Sequence, residues 1–490
     1  MLDHEPLMID RRIVLEAQTL VKEGYRVILA TRSDGTKPND DIERGMEIKR
    51  FPRMPQSNNI MLIRAKIHGW LSNPGNEEKE KKIRSSLRNW PRKFQSLAYA
   101  IAEPMVFAAI IRTRLPILKK IFRSSLEPLV CLFLLRPHYL FAYARLWFHQ
   151  LYKKFKIHFQ LRFAGVKVHQ KLDDFQLEIY SYACTTLRPD FVHVHDLPNL
   201  YLGSLIRKTL EIPLIYDAHE LYPLQKFSDK KYGQYLAELE RKLIKSADAV
   251  IAVNQQCSDI LEKEYPGISN ITILSNATEA PDNFVPAKRK KLWHERFELD
   301  CQVKVMVFQG GINPVRNVDP LVKALPYLDK NIHIGFVTYR KDAPYYQLLA
   351  SELGVLDRVH FIFEIPWDEV IDWLSAADLG VMPYQAVSLN ARISSPNKMF
   401  EFMVAGLPIL ASSDLENVRE VIDKYNVGMH FPLSDDSSYI SALQEFFSLD
   451  LSGPEKYRPN VLEHRHLFMW SNEEPKLLNL YSGLCSGEET

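Results

Sequence analysis

Short runs of β-branched and other apolar residues alternate with amphipathic stretches along most of this chain, and this alternation restricts it to the α/β class. Such continuous apolar runs are typical of strands buried on both faces of a parallel sheet, whereas the amphipathic stretches have the period of helices. A first series of predicted strands lies at 191–195, 213–216, 249–253 and 271–274. A second series lies at 303–308, 332–337, 359–362, 379–382 and 408–411.

The length of the chain and the two series together predict its domain organisation. At 490 residues the chain is too long for one hydrophobic core, since a domain usually holds about 150 residues. We place a first doubly wound domain over 1–285, a second over 286–465 and a helix that returns to the first domain over 466–490. Two such domains imply a cleft between them. The basic run at 288–291 is interpreted as part of a linker, and no aromatic platform accompanies it, so no nucleic-acid partner is expected.

Positive charge is concentrated in one segment of the chain. Residues 61–170 contain 21 Lys and Arg against 5 Asp and Glu, a net charge of +16, while the remainder has 41 basic and 55 acidic residues, a net charge of −14. The segment fits neither series of strands, so we predict a basic helical insertion over about 60–171 in the first domain. Its helices either lie in the interface of an anionic membrane or form a hairpin that packs on the α/β core.

The cysteines and the N-terminal residues indicate the compartment. The five cysteines lie far apart, without a CxxC pair, so we expect no disulfide framework and no metal site. The N-terminal residues contain no apolar stretch that would form a signal peptide, and the most apolar runs are too short to span a bilayer. We therefore expect a cytoplasmic protein that is peripheral at the inner face of the membrane.

The most informative segment of the sequence spans 392–408. Ser395 suits an N-cap, Pro396 suits the first helical position, and Gly406 shortly before a proline is a stop signal. These signals predict a helix of about ten residues. The unpaired backbone N–H groups from Ser395 to Lys398, together with the positive end of the helix dipole, favour the binding of a phosphate.

Lys398 and Glu401 give the predicted helix a charged face. Lys398 lies in the first turn, where a positive charge is unfavourable to an isolated helix, and a bound anion would remove this conflict. Glu401 follows three residues later on the same face, where its carboxylate can accept hydrogen bonds from a sugar or ribose hydroxyl. The alternative is an ion pair on a surface helix, which does not explain why the rest of the helix is apolar. We therefore favour the anion site.

This segment resembles the donor-binding signature of the retaining glycosyltransferases of family four, which have the GT-B fold of two Rossmann-like domains. The resemblance implies that Glu401 contacts the ribose of a nucleotide. The turn at 308–312 and the basic residue after it are similar to the glycine-rich turn that binds the donor diphosphate in that family. The donor-binding residues implied by the resemblance are Gly310, Gly311, Arg316, Ser395, Asn397, Lys398 and Glu401.

The first domain carries matching features. Residues 10–27 contain segments similar to the first helix and second strand of the family, and 188–220 contain segments similar to two later strand ends. Ligands of open α/β sheets gather at such ends. The resemblance implies that His219 contacts the donor sugar, so His219 and Glu401 are the candidate catalytic residues. The candidate residues on the acceptor side are Arg11, Arg12, Glu16, His195 and Asp196. For the last two, a hydrogen-bonded pair that holds a loop is the structural alternative.

The resemblance implies a hexosyltransferase that uses a nucleotide sugar as its co-substrate and no cofactor. The acceptor hydroxyl would belong to a glycan or a lipid-linked molecule, and the anomeric configuration would be retained. No DxD metal motif follows a predicted strand, which agrees with a reaction that needs no metal. The basic insertion adds an expected contact with an anionic membrane. Two alternatives stay open, a GT-B nucleotide-sugar epimerase and a non-catalytic GT-B-like scaffold at the membrane.

The chain departs from the family pattern in three places. Ile393 takes the place of the first of two glutamates that many members carry in the donor signature. Gly311 takes the place of an arginine in the glycine-rich turn, which leaves Arg316 and Lys398 to neutralise the diphosphate. The chain also begins in the loop after the apolar strand with which the family opens. The resemblance therefore implies either a start further upstream or an incomplete first domain.

Overall fold

A computed structural model describes residues 10–33, 38–52, 172–227, 230–268, 271–281, 284–285, 291–363, 365–366, 369–433, 436–448 and 453–486. The basic insertion predicted over about 60–171 lies outside the described residues. The chain divides into two compact units, one formed by 1–31, 40–50 and 188–490, the other by 32–39 and 51–187.

The strands of the first half of the chain form two sheets. β1 (Ile28–Ser33), β2 (Asp40–Glu43) and β3 (Met46–Pro52) lie in the order β1-β3-β2, with β2 and β3 antiparallel. β4 (Val192–His195), β5 (Leu214–Ala218), β6 (Ala249–Ala252) and β7 (Ile271–Ile273) pair in parallel in that order. Every residue of β4, β5 and β6 is buried, as their continuous apolar character predicts.

The second half contains a six-stranded parallel sheet. Its strands are β8 (Lys304–Gln309), β9 (Ile332–Thr338), β10 (Val359–Phe363), β11 (Leu379–Met382), β12 (Ile409–Ser412) and β13 (Gly428–Phe431). They lie in the order β10-β9-β8-β11-β12-β13, so the order reverses between β8 and β11. Ligands bind at such a switch point, outside the carboxyl ends of the strands. The two parallel sheets confirm the predicted α/β class.

Helices separate the strands and cover the sheets. In chain order they are α1 (Arg11–Lys22), α2 (Asp174–Tyr182), α3 (Leu197–Leu210), α4 (Lys230–Leu243), α5 (Gln255–Glu264), α6 (Leu292–Phe297), α7 (Asp319–Ala324), α8 (Ala343–Glu352), α9 (Val370–Ser375), α10 (Leu389–Ile393), α11 (Asn397–Ala405), α12 (Glu416–Tyr425), α13 (Asp436–Ser448), α14 (Pro454–His464) and α15 (Glu474–Ser486). Among the described residues, no helix combines the length and the apolar character needed to cross a bilayer.

The second unit contains α2, whose start has a capping box. The Asp173 carboxylate accepts a hydrogen bond from the Gln176 backbone N–H at 2.8 Å, and the Gln176 side-chain oxygen accepts one from the Asp173 N–H at 3.2 Å. The Phe175 ring packs edge-on against Phe51, and the Arg32 guanidinium lies 4.9 Å from its centroid. These contacts fix the orientation of α2 within its unit.

The C-terminal helix α15 packs against α1. The indole of Trp470, just before α15, donates a hydrogen bond to the Thr19 hydroxyl at 2.8 Å, and that hydroxyl donates to Glu474 at 3.2 Å. The Tyr481 hydroxyl lies 3.0 Å from His193 Nδ1. The end of the chain therefore holds α1 in place beside β4. The domain boundaries at 285 and 465 stay a prediction.

The start of α11 differs from the prediction by one residue. The N-cap is Pro396 and not Ser395, and no side chain caps the helix. Pro396 has a ψ of 136°, which is extended, so the helix can begin only at Asn397. The Ser395 hydroxyl instead accepts a hydrogen bond from the Asn254 side chain at 2.9 Å. The predicted stop is confirmed, because Gly406 ends the helix in the left-handed conformation with a φ of 73°.

A glycine in β11 sets how closely α11 approaches the second sheet. A Cβ atom added at Gly380 would lie 2.5 Å from a ring atom of Phe402, which is itself fully buried on α11. The ring thus packs directly against the strand backbone, and no side chain fits between them. This contact fixes the distance of the candidate donor helix from the sheet.

We expect Gly380→Ala to lower the free energy of unfolding by about 1–3 kcal/mol, because the added methyl group overpacks the contact with Phe402. Urea unfolding measures the change. Phe402→Leu in the same chain should restore part of the loss. The double variant should then lose less free energy of unfolding than the two single variants lose together. Strictly additive effects would contradict this account of the contact.

Candidate active site

A buried cluster of charged side chains lies at the carboxyl ends of β4 and β5. Arg12 of α1 is at its centre: its Nε donates to Glu16 at 2.9 Å, its Nη2 to Asp217 at 2.8 Å and its Nη1 to the Asn276 side-chain oxygen at 3.2 Å. Arg12 is 2% exposed, and Glu16 and Asp217 are not exposed at all. Glu16 lies one turn after Arg12 on α1, so a single helix supplies both charges.

Two histidines extend this cluster toward the edge of the sheet. His219 Nε2 lies 2.9 Å from Asp217 Oδ2, and His195 Nδ1 lies 3.1 Å from the same His219 nitrogen and 3.3 Å from the same Asp217 oxygen. Asp217 and His219 are two residues apart, which puts both side chains on one face of the extended chain. The side chain of His219 is 12% exposed and that of His195 is 1% exposed.

The charge of His219 follows from these contacts. Burial by itself would lower its pKa, but the Asp217 carboxylate outweighs burial and raises the pKa of His219 to about 10. Burial would raise the pKa of Asp217, yet Arg12 and His219 hold it well below its usual range. Burial lowers the pKa of His195 to about 4, so His195 is neutral near pH 7. His219 is therefore an imidazolium paired with a carboxylate.

Two further carboxyl groups titrate near neutral pH. Burial raises the pKa of Glu16 to about 8 and that of Asp196 to about 7. Within the described residues, Glu16 Oε2 and Asp196 Oδ1 are buried without a hydrogen-bond partner. Asp196 follows β4 with φ 63° and ψ 159°, a conformation that a residue with a side chain rarely adopts. Both groups keep an unused oxygen that could accept a hydrogen bond from a ligand or a water.

One group of side chains in the described part of the chain has the composition of a metal site. Ligand atoms of Glu16, His195, Asp217 and His219 all lie within 4.8 Å of one another. Arg12 and the His219 imidazolium already supply two positive charges beside the Asp217 carboxylate, while Glu16, with its pKa raised to about 8, is mostly neutral near pH 7. A divalent cation would add uncompensated charge to a buried site, which is unfavourable. We therefore interpret the group as a hydrogen-bonded ion network.

A second cluster lies at the switch point of the six-stranded sheet. Gly310 directly follows β8 with a φ of 111°, and a Cβ atom at this position would lie 3.3 Å from Arg316 Nη1 and 3.4 Å from Lys398 Cε. The two cations thus flank the glycine turn. Arg316 also donates to the Tyr384 hydroxyl at 2.9 Å, with its guanidinium 4.6 Å from that ring's centroid. Gly310 leaves room for a ligand to approach the backbone between two cations.

Glu401 lies between cations from two elements. Lys398 Nζ is 3.2 Å from Glu401 Oε2, and Arg11 Nη1 of α1 is 3.4 Å from Oε1. Arg11 also donates to the Glu279 carbonyl oxygen at 2.9 Å. Glu401 is 5% exposed, so this is not the surface ion pair that we considered as an alternative. The structure brings Arg11, Lys398 and Glu401 together, and Arg11 lies apart from the Arg12 cluster.

The structure accommodates two of the departures from the family pattern. A Cβ atom at Gly311 would lie 3.0 Å from the Tyr339 ring, so a side chain at this position would require that ring to shift. Ile393 is buried, and its carbonyl oxygen accepts hydrogen bonds from the side chains of Asn254 and Asn417. This position therefore serves as a backbone anchor. Asn397 is the half-buried first residue of α11.

Sequence reasoning missed several residues of both clusters. Asp217 lies two residues before His219, and the alternation of side chains along a strand was the signal that could have revealed it. Tyr384 comes two residues after the end of β11 at the switch point. Asn254 and Asn276 lie just after β6 and β7, and their position at the carboxyl edge was their only signal.

Two family models cover most of the second half of the chain and part of the first. Residues 289–461 match the model for glycosyl transferases group 1, and residues 135–280 match that for Glycosyltransferase Family 4. The chain is a family 4-like glycosyltransferase. As such it is an enzyme of the hexosyltransferase class.

This glycosyltransferase is similar to known proteins at low sequence identity. D-inositol 3-phosphate glycosyltransferase of Corynebacterium glutamicum (strain R) is 25% identical over 321 residues, 61% of this chain and 73% of the relative. The structure of sucrose-phosphate synthase from Thermosynechococcus elongatus has a TM-score of 0.62 at 13% identity and covers 99% and 96% of the two chains. Anabaena HepE in complex with UDP and glucose has a TM-score of 0.50 at 14% identity and covers 63% and 81%. The structural likenesses confirm the predicted GT-B fold.

We expect the free energy of unfolding of the glycosyltransferase to fall by about 2 kcal/mol between pH 7 and pH 9, chiefly through His219. Its pKa rises on folding from 6.5 to about 10, so its stabilisation is complete below pH 6.5 and is lost as the pH approaches 10. Glu16, whose pKa rises from 4.5 to about 8, acts in the same direction because folding favours its neutral form.

Urea unfolding of the wild type and of His219→Gln across this pH range checks the prediction. Gln at position 219 cannot titrate, so the variant should be less stable at pH 7 and its stability should depend less on pH. Parallel pH profiles for the two proteins would contradict the charge that we assign to His219.

Proposed function

We propose that this glycosyltransferase moves a hexosyl unit from a nucleotide-sugar donor to an acceptor hydroxyl of a glycan or lipid-linked molecule, with retention and without a metal. The observation that carries the proposal is the meeting of Gly310, Arg316 and Lys398 at the switch point of the second sheet. A site with two cations, an open backbone and the first turn of α11 suits a diphosphate. The UDP and glucose bound by Anabaena HepE support this class of donor.

The diphosphate is the leaving group of the proposed reaction. Negative charge develops on it as the bond to the sugar breaks, and Arg316 and Lys398 are placed to stabilise that charge without a metal ion. The backbone N–H groups of the first turn of α11 would add to this stabilisation. In this scheme Gly310 and Gly311 let the phosphates approach the backbone, while Ser395 and Asn397 shape the approach to the helix.

Glu401 would bind a hydroxyl of the donor. Its carboxylate has two oxygens, and each already faces one cation, Lys398 or Arg11. A ribose or sugar hydroxyl that donates to Glu401 would compete most readily with Arg11, because that contact is the longer of the two at 3.4 Å. Donor binding would then free Arg11 to face the phosphates or the acceptor.

His219 would act as a hydrogen-bond donor with a positive charge. An imidazolium with a pKa of about 10 does not accept a proton at neutral pH, so we do not assign His219 the role of a general base. It can stabilise negative charge that develops between donor and acceptor. Asp196, with a pKa raised by burial to about 7, is better suited to accept a hydrogen bond from the acceptor hydroxyl.

The two alternative functions predict different behaviour. A nucleotide-sugar epimerase would need acid and base groups on both sides of one sugar and would require no acceptor. A scaffold would have no reason to keep cations around a glycine turn. The cations at 316 and 398 and the buried ion cluster around Arg12 favour a catalyst, so we keep the transferase as the proposal.

We expect Lys398→Ala and Glu401→Ala each to lower the rate of transfer from UDP-glucose at least about 100-fold, since each removes an interaction with the donor. The assay follows UDP release in the presence of EDTA, and NMR of the product gives its anomeric configuration. Activity in EDTA with retention would support the metal-free retaining reaction.

Lys424→Ala is the matched control for these variants, because Lys424 is exposed in the last turn of α12, where its Nζ lies 4.9 Å from the centroid of the Tyr425 ring. It should leave transfer unchanged, and thermal unfolding shows whether all three variants are folded. Wild-type turnover in both site variants would contradict the donor site. An epimer that forms without an acceptor would favour the epimerase instead.

The basic segment at 61–170 supports a lipid-linked or anionic acceptor as part of the same proposal. Its net charge of +16 precedes the donor cations at 316 and 398 by more than a hundred residues in the sequence. Clustered Lys and Arg residues are attracted to anionic lipid surfaces. A cytoplasmic membrane face would bring such an acceptor to the enzyme.

We expect the protein to sediment with vesicles that contain about 30% phosphatidylglycerol and not with pure phosphatidylcholine vesicles, because the attraction is electrostatic. Raising the salt concentration should release it, since screening weakens charge attraction. Equal sedimentation with both vesicle types would contradict the membrane contact and favour a helical hairpin on the α/β core.

A further inference from the structure

One asparagine joins the two clusters. Asn276 lies just after β7, and its side-chain oxygen accepts a hydrogen bond from Arg12 Nη1 at 3.2 Å. Its side-chain N–H₂ group donates to the carbonyl oxygen of Ser395 at 2.8 Å. Ser395 lies two residues before the start of α11. A single side chain thus connects the buried charges of the first sheet to the segment that leads into the candidate donor helix.

The chemistry of its neighbours allows the Asn276 amide only one orientation. The Arg12 guanidinium can only donate hydrogen bonds, so it requires the amide oxygen. A carbonyl oxygen can only accept, so Ser395 requires the amide N–H₂ group. Arg12 is itself held by Glu16 and Asp217 and cannot turn away. The buried cluster therefore fixes the direction in which Asn276 points.

A second asparagine holds the same segment. The side-chain N–H₂ group of Asn254 donates to the Ile393 carbonyl oxygen and to the Ser395 hydroxyl, each at 2.9 Å. Its side-chain oxygen accepts from the Cys257 N–H at 2.8 Å and caps α5. The segment at 393–395 is therefore anchored from the carboxyl ends of two neighbouring strands, β6 and β7.

We propose that Asn276 is a positioning residue that sets the first turn of α11, and with it Lys398, relative to the Arg12 cluster. This inference rests on the proposed function, in which that turn binds the donor diphosphate. Asn276 touches neither Lys398 nor the candidate catalytic groups and acts through the Ser395 backbone. The neutral amide, bonded to a cation on one side and to a carbonyl group on the other, would then hold the Arg12 cluster and the first turn of α11 at a constant separation.

The position demands an asparagine for a physical reason. Aspartate has the same shape and would keep the contact with Arg12, but it would place a carboxylate oxygen against the Ser395 carbonyl oxygen. Two acceptors that face each other at hydrogen-bond distance repel, so the segment before α11 would move away. Asn276→Asp therefore breaks one of the two contacts and preserves the other.

Hydrogen–deuterium exchange of the full-length protein tests the inference without any ligand. Asn276→Asp should speed exchange in peptides that cover 393–405 at least about threefold, while peptides from α1 exchange as in the wild type. Calorimetry with UDP-glucose should then show a dissociation constant raised about tenfold. Asn331→Asp is the matched control. The Asn331 side chain makes the same kind of amide-to-carbonyl contact, to the Gln302 carbonyl oxygen, but at an exposed position.

Each outcome decides between the inference and its parent proposal. Unchanged exchange at 393–405, or faster exchange with unchanged UDP-glucose binding, would overturn the positioning role. Faster exchange in a protein whose wild type does not bind UDP-glucose would support the positioning role and overturn the proposed donor. Should Asn276→Asp fail to fold, Asn276→Ala, which introduces no charge, should show the same pattern of exchange, and its absence would overturn the inference.

Discussion

Arg12 holds its guanidinium out of water between the carboxyl groups of Glu16 and Asp217, and the arrangement of the first half of the candidate site follows from that contact. A buried charge is costly to desolvate, so each of its N–H groups must find an acceptor. The acceptors are Glu16 on α1, Asp217 on β5 and Asn276 in the segment that follows β7. Asp217 in turn gives His219 its charge. This ion cluster thereby joins α1, β5 and the segment after β7, and it sets the protonation state of His219.

The second half of the site has a different physical character. Arg316 and Lys398 flank a glycine turn, where Arg316 donates to the neutral Tyr384 hydroxyl, and this side of the site suits an anionic ligand. Glu401 offsets part of the positive charge through its contact with Lys398, and its other oxygen faces Arg11. The first half is thus held together by internal ion pairs, while the second is arranged for a partner that brings its own negative charge.

The sequence predicted the elements better than the contacts between them. Continuous apolar runs revealed every strand of the six-stranded sheet except β13, which is only half-buried and has no such run. The end of α11 at Gly406 was predicted correctly, because a left-handed terminus selects glycine locally. The start was wrong by one residue, because Pro396 has an extended backbone and is itself the N-cap. The Ser395 hydroxyl is bound by Asn254, which is 141 residues away in the chain. A local rule could not register a distant donor.

Through the types and spacing of its residues, the sequence by itself determined two parallel sheets. It also determined a glycine turn after the first strand that follows the linker, and a lysine and a glutamate on one face of a helix. These features depend on residues that are close in the chain, where periodicity and capping act. Only the tertiary structure decided that Arg12 belongs to a buried ion cluster while its neighbour Arg11 reaches Glu401, and that Asn276 links the two sheets. Those contacts join residues more than a hundred positions apart in the chain. They form because polar groups that burial removes from water need hydrogen-bond partners within the protein.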